Sequence, residues 1–395
     1  MDFNFYANKT SENYHKIDIW FLVSILLLWG LGIFTLFISS QNNAERMFKD
    51  PMYFVNRQLI CSAIGFVFFF LFLFFDMNII KKAVPLIVCV SIILCICTFI
   101  PGLGIEKNGA RRWIKMPFNF SFQPSEFVKF SLVLFLANYF DKQSEIEIPE
   151  DKTVFPAVLI FIILDVLVFL QKDFSTGLFI FIIGFLMFFV SGSKLAWFFP
   201  LMIIAIPAFI LMISLESYRL DRIAGFFNPD KYANSINYQY TRAKVAISEG
   251  GFWGNGIGAG LKKINFIPEI QADYVFAGWV EAMGLFGVII YFLLLGFFAF
   301  RGYKAALNCP KRFDSYVSFG FVTIILIQSL VNCGVVCGFI PTTGIPLPFF
   351  SLGGSSIIIT LAMSSLVLNA SRCEEKVEKK VKNDEINIES LTVLN

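Results

Sequence analysis

The residues best equipped for chemistry in this chain are one acid and the cations around it. From Glu216 to Asp273 an otherwise apolar sequence gives way to nearly sixty largely polar residues, which carry seven cations: Arg219, Arg222, Lys231, Arg242, Lys244, Lys262 and Lys263. The stretch closes on Phe266, Ile267, Pro268, Glu269, Ile270, Gln271, Ala272 and Asp273. A carboxylate beside several cations suits proton removal from a hydroxyl combined with neutralisation of an anionic group such as phosphate. Histidine- or zinc-centred chemistry is not expected, because His15 is the only histidine and Cys95 and Cys97 have no second ligand pair. Cys61, Cys89, Cys95, Cys97, Cys333 and Cys337 fall inside apolar runs, where a thiol acts as a small hydrophobe; Cys309 and Cys373 flank such runs.

The elements that must position this acid are membrane helices. With 57% hydrophobic residues, 15% charged residues and a mean hydropathy of +0.71, a chain of 395 residues cannot cover itself with polar surface. Spanning roughly 30 Å of hydrocarbon takes about 20 apolar helical residues. Ten stretches qualify, near 19–39, 58–75, 84–101, 126–140, 154–170, 176–192, 195–214, 274–300, 316–340 and 353–371. They are continuous Phe, Ile and Leu runs without the alternation of barrel strands, so an all-α polytopic membrane protein is expected. The division is an N-terminal tail over 1–18, a membrane domain over 19–371 with its large loop at about 215–273, and a C-terminal tail over 372–395. The first run lacks a convincing cleavage site and reads as a retained span.

Ten spans place both tails on one side. That side carries sixteen Lys and Arg against fifteen on the other, or against eight once the long loop is set aside, since long loops translocate largely regardless of charge. The tails are therefore expected in the cytoplasm and the loop outside. Four of the remaining outer cations, Lys107, Arg111, Arg112 and Lys115, crowd between spans 3 and 4. An anionic ligand at the outer face explains two loops with the same excess, while attraction to lipid headgroups explains any single lysine.

Several charges fall within or beside spans. Glu126 and Lys129 stand three apart on one helical face and can pair locally. Asp165 and Glu281 need interior partners; Lys129 is a candidate for Glu281, and helix-to-helix contact is as good an explanation as catalysis. Asp173, in Gln171, Lys172, Asp173, Phe174, Ser175, Thr176, Gly177, fits an N-cap of span 6. Gly250, Gly251, Gly254, Gly256, Gly258 and Gly260 would let backbone approach a phosphate or sugar, or would simply form a turn; no strand–helix unit follows, so a dinucleotide fingerprint is rejected. Pro341, Pro346 and Pro348 with Gly344 predict an irregular loop, with Gly353 and Gly354 opening span 10. Trp113 could stack on a sugar or anchor at the interface.

Four strings together resemble one family. They are Gly109, Ala110, Arg111, Arg112, Trp113 with Gln123, Pro124, Ser125, Glu126 and Lys129; Gln171 to Gly177; Gly254, Asn255, Gly256, Ile257, Gly258 leading to Lys263, Pro268, Glu269 and Asp273; and Pro341 to Phe349 with Gly353, Gly354, Ser355 and Ser356. From about residue 18 to residue 372 the chain resembles the shape, elongation, division and sporulation (SEDS) family of FtsW, RodA and SpoVE type. The resemblance implies a ten-helix peptidoglycan glycosyltransferase that polymerises lipid II at the outer face of the bacterial cytoplasmic membrane. It also implies a class B penicillin-binding protein and other divisome or elongasome components as partners. No nucleic acid partner is expected. The family's essential acid falls on Asp273, its outer-loop Trp on Trp113 and its Gln-Pro-Asp acid on Asp173. Lys172 stands in place of Pro, Ser175 in place of Gly, Gln271 and Ala272 in place of His-Thr, and Leu352 in place of Tyr. Arg111 with Arg112 leans toward the division branch, and Gly344 to Pro348 looks more like the elongation branch; the balance leans to FtsW.

The chemistry fits these residues. A lipid pyrophosphate leaves as a stable anion, so one carboxylate base and several cations suffice where a glycosidase needs two acids. Asp273 is expected to deprotonate the 4-hydroxyl of the acceptor GlcNAc, with inversion at the donor. Arg111, Arg112, Arg219, Arg222, Arg242, Lys244 and Lys263 are expected to hold pyrophosphate, with Trp113, Asp173 and Glu269 also at the substrate. Glu126, Lys129, Glu281, Gly256, Gly258, Pro348, Gly353, Gly354 and Ser355 are expected to shape the cavity. No cofactor is demanded, though a divalent cation, Mg²⁺ or Mn²⁺, held partly by substrate phosphate is compatible. A lipid flippase and a non-catalytic scaffold that recruits a transpeptidase are the rival readings.

Overall fold

The computed structural model describes residues 17–107, 109–117, 120–145, 150–192, 198–214, 216–233, 235, 237–256 and 269–373. Its first seven helices are α1 (Ile19–Phe48), α2 (Tyr53–Phe74), α3 (Met77–Cys97), α4 (Pro124–Glu145), α5 (Glu150–Leu170), α6 (Phe174–Val190) and α7 (Phe198–Ser214). Two short helices, α8 (Ser217–Phe227) and α9 (Tyr238–Gly250), occupy the long polar loop. The membrane helices then resume with α10 (Val275–Asn308), α11 (Arg312–Val336) and α12 (Gly354–Ala370). All ten expected spans are thus present as helices.

Helices α1, α2, α3, α10 and α11 are long and apolar enough to cross a membrane, and shorter apolar helices lie within α5, α6, α7 and α12. The remaining span, α4, carries Glu126, Lys129, Asp141 and Lys142. It is sheathed by α3, α5, α6, α11 and α12, and Val128, Leu132, Val133, Leu134, Leu136 and Ala137 are all fully buried. A helix surrounded by protein can hold charges that a lipid-facing helix cannot.

Between α3 and α4 the cation-rich connection is an antiparallel sheet of β1 (Gly104–Lys107), β2 (Ala110–Lys115) and β3 (Ser121–Phe122). In β2, Ala110 and Ile114 are buried while Arg111 and Lys115 face solvent. Register sets Glu106 opposite Arg111 and Ile105 opposite Trp113.

Helix α10 is broken. Gly284 sits at φ 64° and ψ −161°, a conformation closed to residues with a side chain, and interrupts the helical ladder. The glycine-rich segment after α9 lies against the break and replaces the lost bonds. Asn255 N donates to Glu281 O at 2.9 Å and Gly256 N to Ala282 O at 3.1 Å, while Leu285 N and Phe286 N each donate at 3.0 Å to Gly251 O and Phe252 O. The approach is so close that a Cβ on Gly254 would stand 2.2 Å from Ala282 O. Trp279 Nε1 donates to Gly287 O at 2.9 Å, completing the repair.

At the opposite end of the bundle, Arg301 pairs with Asp18 at 2.6 Å, Asp18 N donates to Ser371 Oγ at 3.3 Å and Arg372 donates to Leu73 O at 3.0 Å. Lys81 pairs with Asp141 on the same side.

Candidate active site

Asp273 occupies the turn just before α10, and the sequence makes that position by ending an apolar helix on a polar, proline-led string. Tyr274 is the N-cap residue and makes no side-chain cap bond. Asp273 is half-buried as a residue, and an added Cβ on Gly344, itself at φ 75°, would lie 3.7 Å from its Oδ2. Burial, then the like charge of Glu269, pushes the carboxyl up to about 6, while Arg222 and Arg112 pull it down. Such a group is ionised at neutral pH yet basic enough to accept a proton.

The turn is fixed by main-chain contacts from two directions. Leu352 N donates to Gln271 O at 2.7 Å, and Asn332 Nδ2 on α11 donates to Asp273 O at 3.0 Å and to Ile345 O at 2.8 Å. The proline loop is therefore ordered and irregular, as its composition demands. Within it Leu347 N donates to Ser351 Oγ at 2.8 Å, and Pro348 is buried. Gln58 on α2 donates to Ser351 O at 3.1 Å and accepts from Gly353 N at 3.3 Å.

A second wall forms around Asp173. Although it is the N-cap residue of α6, its carboxylate makes no cap bond. Instead Arg112 Nη1 lies 3.6 Å from Oδ1, and Gln123 Nε2 and Ser125 Oγ donate to Oδ2 at 3.0 and 3.4 Å. Arg112 also donates to Lys172 O at 2.5 Å, and Gln123 N donates to Ser355 Oγ at 3.3 Å. Lys172, at φ 61°, pairs with Glu216 at 2.8 Å, joining this wall to the start of α8. A proline could not adopt that φ, so this backbone requires a residue other than proline at position 172.

On α8, Arg222 Nη1 donates to Thr342 O at 3.0 Å and its guanidinium lies over the Tyr218 ring at 5.6 Å. A cleft of about 310 Å³, counting its open mouth, runs between α8, α9 and the end of α11, lined by Arg222, Asn237, Tyr240, Gly338 and Thr342 among others. Arg219 is buried, donates to Met212 O and lies over Phe174 at 5.2 Å. It braces α7 against α8.

Beneath the site, Lys129 Nζ donates to Glu126 Oε1 at 2.8 Å and to Gln328 Oε1 at 2.7 Å, and Gln328 Nε2 donates to Pro346 O at 2.9 Å. Lys129 is thus partnered by Glu126 and Gln328, and the Glu281 side chain is fully buried on α10 just before the break. The same break uses Gly254 and Gly256 structurally, which explains these two glycines without a phosphate or sugar contact.

Not every predicted residue gathers here. Arg111 is exposed and pairs across the sheet with Glu106 at 3.1 Å. Trp113 is half-buried under Lys107, 5.7 Å from its ring. Arg242 and Lys244 are exposed on α9. Gly258 and Lys263 lie outside the described residues. Gly353 caps α12, and an added Cβ on Gly354 would lie 3.1 Å from Cys61 Sγ. Sequence reasoning missed Asn332, Gln328 and Gln58, carboxamides in apolar helices whose only signal is polarity where lipid or core is expected. It also missed Tyr274, whose hydroxyl is buried with no hydrogen-bond partner among the described residues. Among the described residues, no group of three or more His, Cys, Asp or Glu forms a metal-ligating set.

The chain is similar to stage V sporulation protein E of Bacillus subtilis (strain 168), 33% identical over 362 residues that cover 90% of this chain and 97% of the relative. It is also 33% identical to a probable peptidoglycan glycosyltransferase FtsW of Marinomonas mediterranea, with 94% and 93% of the two chains covered. Among solved structures it superposes on a chain of a peptidoglycan synthase complex, described as coordinating polymerization and crosslinking, with TM-score 0.72 and 26% identity over 91% of this chain and 99% of that one. The profile of the FtsW/RodA/SpoVE family, cell cycle proteins, matches residues 19–376. This polytopic membrane chain therefore belongs to the FtsW/RodA/SpoVE family.

Proposed function

We propose that this protein is an inverting peptidoglycan glycosyltransferase that polymerises lipid II, with Asp273 as the base. The observation that carries the reading is a half-buried acid at the mouth of α10, its carboxyl pushed up to about 6 by burial and within electrostatic reach of Arg222 and Arg112. Asp273 takes the proton from the acceptor's sugar hydroxyl, whose oxygen attacks the donor's anomeric carbon. The lipid pyrophosphate leaves as an anion, and Arg112 and Arg222 stabilise its charge. Of the other cations, Arg111 and Arg219 are tied to neighbouring structure, and Arg242 and Lys244 are exposed on α9. A Mg²⁺ or Mn²⁺ ion is proposed only as a companion of substrate phosphate.

Charge asymmetry supports a chain set in the bacterial cytoplasmic membrane with its tails inside and the site outside. A transpeptidase of the class B penicillin-binding type is the proposed partner, in keeping with the synthase complex that the fold matches. The division branch is favoured by FtsW among the relatives and by Arg111 with Arg112; septal against side-wall localisation of a tagged copy decides it.

Purified protein given lipid II tests the reading. Glycan polymer from the native protein and its loss, by on the order of a thousandfold or more, in Asp273→Asn is the expected result. Translocation without polymer would favour a flippase, and neither product would favour a scaffold; near-native activity in Asp273→Asn would remove the base.

A further inference from the structure

Asn332 follows Gln328 by one helical turn on α11, so both carboxamides project from one face. Each is 2% exposed. Gln328 accepts from Lys129 Nζ at 2.7 Å and donates to the proline loop at Pro346 O at 2.9 Å, whereas Asn332 Nδ2 bridges Ile345 O at 2.8 Å and Asp273 O at 3.0 Å. The reverse orientation of the amide would set its oxygen against two carbonyl oxygens, so the donor end alone satisfies both. Asn332 Oδ1 is left buried without a hydrogen-bond partner among the described residues.

The acid itself has little else to hold it. No hydrogen bond to its carboxylate is made from the described residues around it, and the first turn of α10 is not capped by a side chain. Its aim is set through the main chain, and the contact to its own carbonyl comes from Asn332. On the reading that Asp273 is the base, we infer that Asn332 is its positioning residue, an amide that clamps the acid's main chain to the proline loop so that the carboxylate stays at the edge of Gly344. Asn332 touches no reacting atom. It works by restricting where the carboxylate can go, and small misplacements of a reacting group cost as much as about a hundredfold in rate.

The test is lipid II polymerisation by the full-length protein, measured against lipid II concentration and pH and normalised to monodisperse folded protein. Asn332→Ala is expected to lower kcat on the order of ten- to a hundredfold, to leave KM within about twofold, and to move the acid limb below its native midpoint as the carboxylate gains water. Gln328→Ala, which loosens the loop but not the acid, is expected to lower thermal stability and leave that midpoint in place. Asn332→Leu keeps the side-chain shape and removes the donor, so it carries the kcat comparison if the alanine variant does not fold. Native kcat and midpoint in folded Asn332→Ala, or a raised KM at native kcat, would overturn the inference. Asp273→Asn in the same assay separates the two claims: an active Asp273→Asn sinks the base itself, while an inactive one beside an unaffected Asn332→Ala sinks only the clamp.

Discussion

At the residue scale, the site rests on an acid held between opposing influences. Glu269 raises the affinity of Asp273 for its proton, and Arg222 and Arg112 lower it. If Asp273 is the base, as proposed, it works as its carboxylate, and activity is expected to fall as pH drops through the midpoint near 6. Glu269→Gln removes the like charge and is expected to carry that fall to lower pH, with the plateau rate within about twofold of native; a pH–rate series checks it, and a midpoint moving upward contradicts it. Asp273 was legible in the sequence because it ends a polar string beside cations. The different fates of Arg111 and Arg112 were not. Neighbours on a strand point to opposite faces, so one meets Glu106 and solvent while the other meets Asp173, and only the strand assignment tells them apart. Asn332 was hidden for another reason: a buried carboxamide in an apolar helix reads like any interhelical contact until its carbonyl partners are known.

At the element scale, the ten apolar runs were readable from length and hydropathy alone. The break in α10 was not, since Gly284 is one glycine in a continuous apolar stretch and its partners come from a segment some thirty residues earlier. That pairing also explains the described part of the glycine-rich run, Gly250 to Gly256, better than a ligand contact does. Gly284→Ala would force a side chain into a left-handed backbone and its Cβ to 2.3 Å from Gly254 N. A destabilisation of about 1–3 kcal/mol or more is expected, with reduced polymerisation because Asp273 rides on the segment before the break. Thermal unfolding in detergent measures the first, and an unchanged melting temperature would count against the packed break. The small sheet escaped notice because short strands of mixed charge look like loop.

At the scale of the whole molecule, a buried ion pair sits at the centre of the bundle. Lys129 and Glu126 are each 2% exposed, and Lys129 also binds Gln328. Removing one partner leaves a charge in a medium that cannot solvate it. Lys129→Met is therefore expected to cost about 3–5 kcal/mol, and Lys129→Met with Glu126→Gln substantially less. Unfolding of both variants and of Glu126→Gln completes the cycle; strictly additive effects would show that the pair is not coupled.

The tie between Asp18, Arg301 and Ser371 brings the beginning and the finish of the membrane domain to one point, on the face away from the acid. The bundle is in effect a closed ring. Tension on either tail is met at that lock and at the bond from Arg372 to Leu73 O, so a fusion at either terminus is expected to leave the geometry of the Asp273 carboxylate undisturbed.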